Sequence, residues 1–395
     1  MQYCLVLLLC LVEVASARTP QPIYDPGGRA LDHFHRALSR TARGVGTTRI
    51  LQFGASHTEA DRFTGHLRQF FQHRFGDGGH GYIMPVRPWR GYGHRDVDLS
   101  STDTWFTDKA YRRDARQDGL YGLAGFSCSS GSTEDFGRIS TSTRSAFGQS
   151  VARFDVYYLE QPNGGRLDVF VDGAHYVRIS TAATTPSLGM RVIRVPEGPH
   201  ELEVRPVGDG EVRLFGIVME RNAPGVVLDS LGIRGARASV WLEWDEEIWG
   251  QQLARRHPDL IMLAYGTNES GDTRQPIARY ERQLSDVLAR LRRISPEASC
   301  VLIGPTDRPI RRRREWVHRP RIDQVIEIQR TVGARYGCAF WDAFEAMGGA
   351  LSIIEWHGMD PPLASRDRVH LTTLGYERLA DELARALLSG YPPVR

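Results

Sequence analysis

The chain has 395 residues, of which 41% are hydrophobic and 25% charged. That is enough for one large core or two moderate ones, in the proportions of an ordinary globular protein. The formal net charge is only +3, so bulk charge gives no ground for a nucleic-acid or acidic partner.

In chain order, residues 5–12 form an apolar run too short to span a bilayer. It ends at Ala15-Ser16-Ala17, a small-residue cleavage pattern ahead of Arg18. The expectation is a signal peptide over residues 1–17 and an exported protein of the periplasm, cell envelope or medium. Against it, the first residues carry no lysine or arginine, and Glu13 sits close to the apolar run. No later apolar run is long enough for a membrane span. Cys4 and Cys10 would leave with the signal. Cys128, Cys300 and Cys338 remain, without C-x-x-C spacing, so neither a metal site nor a disulfide framework follows. A Cys300–Cys338 bridge is conceivable, but two buried free thiols are the preferred reading.

Residues 20–28, rich in proline and glycine, read as a linker. Residues 30–42 carry Leu31, Phe34 and Leu38 at helical spacing. Arg49-Ile-Leu-Gln-Phe-Gly-Ala-Ser-His-Thr58 reads as an apolar strand running into a tight turn at Gly54. A helix over about 59–75 follows, burying Phe63, Leu67, Phe70 and Phe71. From about residue 88 to 222 the pattern changes to short alternating runs separated by Asn163-Gly-Gly165 and Asp172-Gly173, the signature of an antiparallel sandwich. Strand and helix then alternate again: strands over 226–228, 260–264, 301–303 and 339–341, and helices over about 236–256, 276–294, 322–336 and 372–388. The economical account is one α/β domain interrupted by a β-sandwich. Its divisions are an α/β first part over 18–95, an inserted sandwich over 96–222 and an α/β second part over 223–395.

The chemistry collects at strand ends. Ser56 lies on the turn after the first apolar strand, where open α/β sheets bind ligands. A serine hydroxyl is a weak nucleophile and needs a base. Asp367-x-x-His370, just ahead of the last helix, offers an imidazole with a carboxylate to fix its tautomer. A tetrahedral intermediate also needs donors. The candidates are the N–H of Ser56, a backbone N–H in Gly232-Ile-Arg-Gly235, and the amide of Asn268 in Tyr265-Gly-Thr-Asn-Glu269. His57 adjoins the nucleophile but reads as a packing or substrate contact. The arginine run at 308–314 reads as a solvated loop, the alternative being a site for an anionic glycan, and Trp89, Tyr92 and Trp105 read as core aromatics, the alternative being stacking on sugar rings.

Four blocks in chain order resemble those of the SGNH, or GDSL-type, hydrolases: Gly54-Ala-Ser-His57, Gly232-Ile-Arg-Gly-Ala236, Gly266-Thr-Asn-Glu269 and Asp367-x-x-His370. Phe63-Thr-Gly-x-Leu-Arg68 and Arg74-Phe-Gly-Asp-Gly-Gly-x-Gly81 are similar to the cell-envelope branch. That branch holds bacterial peptidoglycan O-acetylesterases with an inserted carbohydrate-binding-like sandwich. The resemblance implies a flavodoxin-like three-layer sheet, with Ser56 as nucleophile, His370 as base, Asp367 as its orienter, and Gly235 and Asn268 as oxyanion donors. It implies no metal or organic cofactor. The family's Gly-Asp-Ser is here Gly-Ala-Ser, so Ala55 removes a carboxylate that could have held the turn. The expected function is an exported serine esterase removing O-acetyl groups from an acetylated polysaccharide, peptidoglycan being the first choice. The alternatives are an O-acetyltransferase using the same acyl-enzyme and a non-catalytic glycan-binding protein.

Overall fold

The computed structural model describes residues 20–110 and 116–392; the expected signal segment lies outside them. The central sheet has six strands in the order Ile23–Tyr24, Ala339–Trp341, Ser299–Ile303, Leu260–Ala264, Thr47–Gly54 and Gly225–Gly232. The first, inside the stretch read as a linker, runs antiparallel to its neighbour, and the others are parallel.

Successive strand residues point to opposite faces of the sheet. Ile50, Leu228, Met262, Val301 and Trp341 meet helices Asp32–Ala42, Arg62–Phe75 and Thr373–Leu387 through Phe34, Phe71 and Leu383. Leu51, Phe53, Ile261, Leu263 and Leu302 meet helices Glu246–Arg256, Ile277–Ile294 and Arg321–Arg335 through Trp249, Leu284 and Val325. Each such side chain contributes about 1.5–3 kcal/mol by leaving water. The result is helix, sheet, helix: the three layers expected of a flavodoxin-like fold.

Between the Thr47–Gly54 and Gly225–Gly232 strands the chain builds two antiparallel sheets. One orders Ala174–Ser180, Arg166–Val171, Glu201–Pro206, Gly137–Thr141 and Val97–Ser101. The other orders Ser187–Gly198, Val151–Glu160, Val212–Glu220, Phe126–Ser130 and Phe106–Lys109, with Gly79–Ile83 also pairing Val212–Glu220. Their core is continuous with one side of the α/β sheet, since Val156, Ile217, Phe53 and Trp241 belong to a single buried cluster. Charge locks the junction as well. Buried Glu220 meets Arg49, Arg153 and Arg256, while Arg256 also reaches Asp229 at 2.7 Å.

Two expected helices are interrupted. The segment behind Ser56 makes a single turn, Ser56–Glu59, before the Arg62–Phe75 helix. The break is at Asp61, held at φ 51° with its carboxylate on buried Arg68, on Thr64 and on the N–H of Arg95. This tertiary charge pair overrides local helix propensity. Likewise a 3-10 turn, Ala238–Glu243, precedes the Glu246–Arg256 helix, whose N-cap Asp245 accepts from the N–H of Ile248.

The reading of Cys300 and Cys338 as two free thiols is corrected by a disulfide between them. Val301 and Ala339 are register partners on adjacent parallel strands, so the residue before each is brought within bridging distance, with Cα atoms 4.6 Å apart. Cys128 remains a buried free thiol. The bridge closes a loop of 38 residues, for which chain entropy gives about 4 kcal/mol at most. Denaturant unfolding with and without reductant is expected to show that loss, and an unchanged midpoint would contradict a formed bridge.

Candidate active site

The parallel register fixes where the site lies. Gly54 is paired with Gly232 on one side and Ala264 on the other, Ala264 with Ile303, and Ile303 with Trp341. The carboxyl ends of five strands therefore form one row, and the loops leaving them carry the candidate residues.

Ser56 opens its turn directly after Gly54 and Ala55. A Cβ on Gly54 would lie 2.2 Å from Thr58 Oγ1, and one on Gly232 would lie 2.4 Å from Glu59 N. Both positions need glycine because the turn packs directly onto the strand and its neighbour. Ala55 supplies no side-chain cap, and the turn is held by other bonds. The N–H groups of Thr58 and Glu59 donate to Ala55 O, Gln52 Nε2 donates to Thr58 Oγ1, and Ser230 Oγ donates to Thr58 O.

His370 Nε2 lies 2.8 Å from Ser56 Oγ, and His370 Nδ1 lies 2.6 Å from Asp367 Oδ2. The other carboxylate oxygen of Asp367 accepts from the N–H groups of Val369 and His370, each at 3.0 Å. Arg368, at φ 58°, turns the loop so that acid and imidazole face each other. The Thr373–Leu387 helix begins at once, with Thr372 Oγ1 accepting from Gly375 N. Partial burial raises the Asp367 carboxyl, but the His370 ring and the two N–H groups outweigh this and hold it at about 2. It is therefore ionised throughout the neutral range and can fix the proton on Nδ1, leaving the Nε2 lone pair toward Ser56.

Gly235 takes φ 81° in a turn joined to the strand that leads into Ser56 by Ile233 N–H donating to Gly54 O. Asn268 sits on the short Thr267–Gly271 helix and donates through Nδ2 to Ala236 O at 2.8 Å. Glu269 staples the two loops together. One oxygen accepts from Ala238 N and the other from Gly266 N, and burial raises its carboxyl above the ordinary value. The structure thus brings Ser56, His370 and Asp367 into one relay, and Gly235 and Asn268 into one braced pair beside it.

His57 points elsewhere than Ser56. Its Nδ1 is 2.9 Å from Tyr376 OH, its Nε2 3.4 Å from Thr306 Oγ1, and its ring centroid 5.3 Å from that of His370. Behind it lies a mostly apolar cavity of about 30 Å³, lined among others by Phe63, Tyr265 and Tyr376. Burial, then the nearby charge of His370, lower the His57 ring to about 3. An open, polar depression of about 490 Å³ adjoins Gly235, bordered by Arg237, Ser239 and Glu243. Trp105 is buried, and Trp89 and Tyr92 pack on Phe126. Among the described residues no group of three or more His, Cys, Asp or Glu side chains is arranged to hold a metal. Of the braces, Thr306 and Tyr376 carry no sequence signal of their own, while Glu269 closes the Gly266-Thr-Asn-Glu269 block without its bracing contacts being legible there.

The family model of the GDSL-like lipases and acylhydrolases matches residues 207–378, a span that contains Gly235, Asn268, Asp367 and His370 and begins after Ser56. Among solved structures, one described as "Peptidoglycan O-acetylesterase in action, 5 min" is similar over 93% of this chain and 99% of that one, at 26% identity and a TM-score of 0.76. An active-site mutant of a family two carbohydrate esterase from Clostridium thermocellum is similar over 73% of this chain and 99% of that one, at 11% identity and TM-score 0.30. An acetyl xylan esterase is similar over 41% and 80%, at 18% identity and TM-score 0.31. These last two superpose too weakly to carry an argument. No curated protein matched the chain.

Since Asp367 stays ionised above about 2 and His57 stays neutral above about 3, neither changes protonation between about pH 4 and 8. The acid limb of kcat/KM is expected to follow one proton there and to keep its shape in His57→Gln. A two-proton limb that becomes single in that variant would contradict this.

Proposed function

We propose that this esterase, which acts on carboxylic ester bonds and is similar to the GDSL-like (SGNH) hydrolases, is exported and removes O-acetyl groups from a polysaccharide, peptidoglycan first. The observation that carries the reading is the Asp367–His370–Ser56 relay of 2.6 and 2.8 Å at the carboxyl edge of a sheet that superposes on a peptidoglycan O-acetylesterase.

In the proposed reaction, Ser56 Oγ attacks the acetyl carbonyl carbon while its proton passes to His370 Nε2. Asp367 stabilises the imidazolium through Nδ1–H. The oxyanion takes hydrogen bonds from the N–H groups of Ser56 and Gly235 and from Asn268 Nδ2. Collapse breaks the ester bond, and His370 gives its proton to the departing sugar oxygen. Water, deprotonated by His370, then attacks the acetyl-serine and releases acetate. No step requires a metal or organic cofactor.

The polar depression beside Gly235 supports a large hydroxyl-rich substrate over a lipid. Export is supported by the Cys300–Cys338 bridge, since disulfides persist in oxidising compartments. Among the described residues no helix is long and apolar enough to cross a membrane.

Hydrolysis of a chromogenic acetyl ester and of acetylated peptidoglycan tests the assignment. Ser56→Ala is expected to abolish turnover. Asn268→Ala should lower kcat about 10²–10³-fold, and Asp367→Asn by about 10⁴. Equal rates for wild type and Ser56→Ala would remove Ser56 as nucleophile.

A further inference from the structure

The strand Ser299–Ile303 leaves the sheet at the catalytic edge. The chain then passes Thr306, against His57, and Arg308, whose Nη1 donates to Thr267 O at 2.7 Å, one residue from Asn268. From there it rises into strands Ile310–Arg312 and Glu315–Val317, a two-stranded ribbon belonging to no other sheet. The descending leg is pinned back on the same place. Arg319 Nε donates to Arg308 O, and Arg321 donates to Glu269 O and Gln275 O. Arg311 is three positions beyond Arg308 and the ribbon starts at Ile310, so it begins within about 10 Å of chain from the crevice.

From 308 to 321 the sequence holds seven arginines and one glutamate. Arg311, Arg312, Arg313 and Arg314 are consecutive and exposed. The buried arginines Arg68 and Arg256 are matched to carboxylates, on Asp61 and Asp229, and Arg308, Arg319 and Arg321 to backbone carbonyls; among the described residues these four exposed ones form no ion pair. Arg311 and Trp316 are register partners, the guanidinium 5.9 Å from the ring centroid, while Arg312 and Glu315 occupy the opposite face. An isolated hairpin is marginal by itself, and adjacent like charges weaken it further. Folding stability gives no reason for this arrangement, but a ligand would. A guanidinium fork fits a carboxylate, and the half-buried indole of Trp316 offers a flat apolar surface for a sugar ring.

We propose that the 310–317 ribbon is a cationic clamp that holds a carboxylate-bearing glycan strand across the mouth of the catalytic crevice. This rests on the esterase reading and names the charge class of its substrate. The low net charge of the whole chain is no obstacle, because the charge is concentrated at the cleft, within a Debye length of about 8–10 Å of any strand lying there.

The test reads binding rather than turnover, so it stands apart from the esterase assignment. The probe is solubilised peptidoglycan with its stem carboxylates intact, against the same material with those carboxylates amidated. Both are titrated into Ser56→Ala protein and into Ser56→Ala carrying Arg311→Gln, Arg312→Gln, Arg313→Gln and Arg314→Gln. The four substitutions are expected to raise Kd for the intact strands about tenfold or more and to flatten its salt dependence. Amidation should weaken binding to the Ser56→Ala protein to a similar degree. Glu315→Gln, which removes the lone acid, is expected to tighten binding, and covers the case in which the fourfold variant folds poorly. Equal Kd and salt slope with and without the arginines, undiminished binding of amidated strands, or weaker binding by Glu315→Gln would each overturn the proposal.

Discussion

The constraint on which everything else depends is the register of the parallel sheet. Because Gly232, Gly54, Ala264, Ile303 and Trp341 finish level, five connections carrying residues as far apart in the chain as Ser56 and His370, 314 positions, open onto a single crevice. A one-residue slip of any strand would reverse its side chains between the two helical layers, and Ile50, Leu51, Met262 and Leu263 leave no freedom for that. The relay between Ser56 and His370 is thus a product of core packing: apolar alternation sets the register, and the register sets which loops meet.

Above that edge the site is braced by polar contacts that are costly to leave unmade. Glu269 satisfies backbone N–H groups on two loops, and Asp61 holds the chain after the Ser56 turn through Arg68. Tyr376 and Thr306 fix the His57 ring. Ala55, which departs from the family pattern, does not loosen the turn, because Gln52, Thr58 and Ser230 hold it from the sides. The inserted sandwich is continuous with the α/β core and is locked at Glu220 and Arg256, so it is a fixed wall of the molecule rather than a tethered appendage.

Much of this was legible from residues alone. The strands ending at Gly54 and Ala264 are apolar runs closed by glycine, and Ser56, Asn268, Asp367 and His370 stand in recognisable blocks. What stayed hidden depends on distant partners. The break at Asp61 is written in Arg68 and Arg95, not in the local propensity of residues 59–62. The Cys300–Cys338 bridge follows from the pairing of two strands, which cysteine spacing does not encode. The arginine run gives no period-two alternation, so its ribbon emerges only from the pinning of both legs by Arg308, Arg319 and Arg321. Glu269 stands in the asparagine block, but its bracing role emerges only from its two backbone partners.

The central claim is that a single activated hydroxyl sits at the meeting point of those loops. Its most direct test is stoichiometric labelling with a serine-reactive fluorophosphonate, followed by peptide mass spectrometry. The account predicts one adduct per chain, on the peptide containing Ser56, formed much more slowly in His370→Ala. No adduct on folded protein, an adduct on another residue, or a labelling rate indifferent to His370 would contradict it.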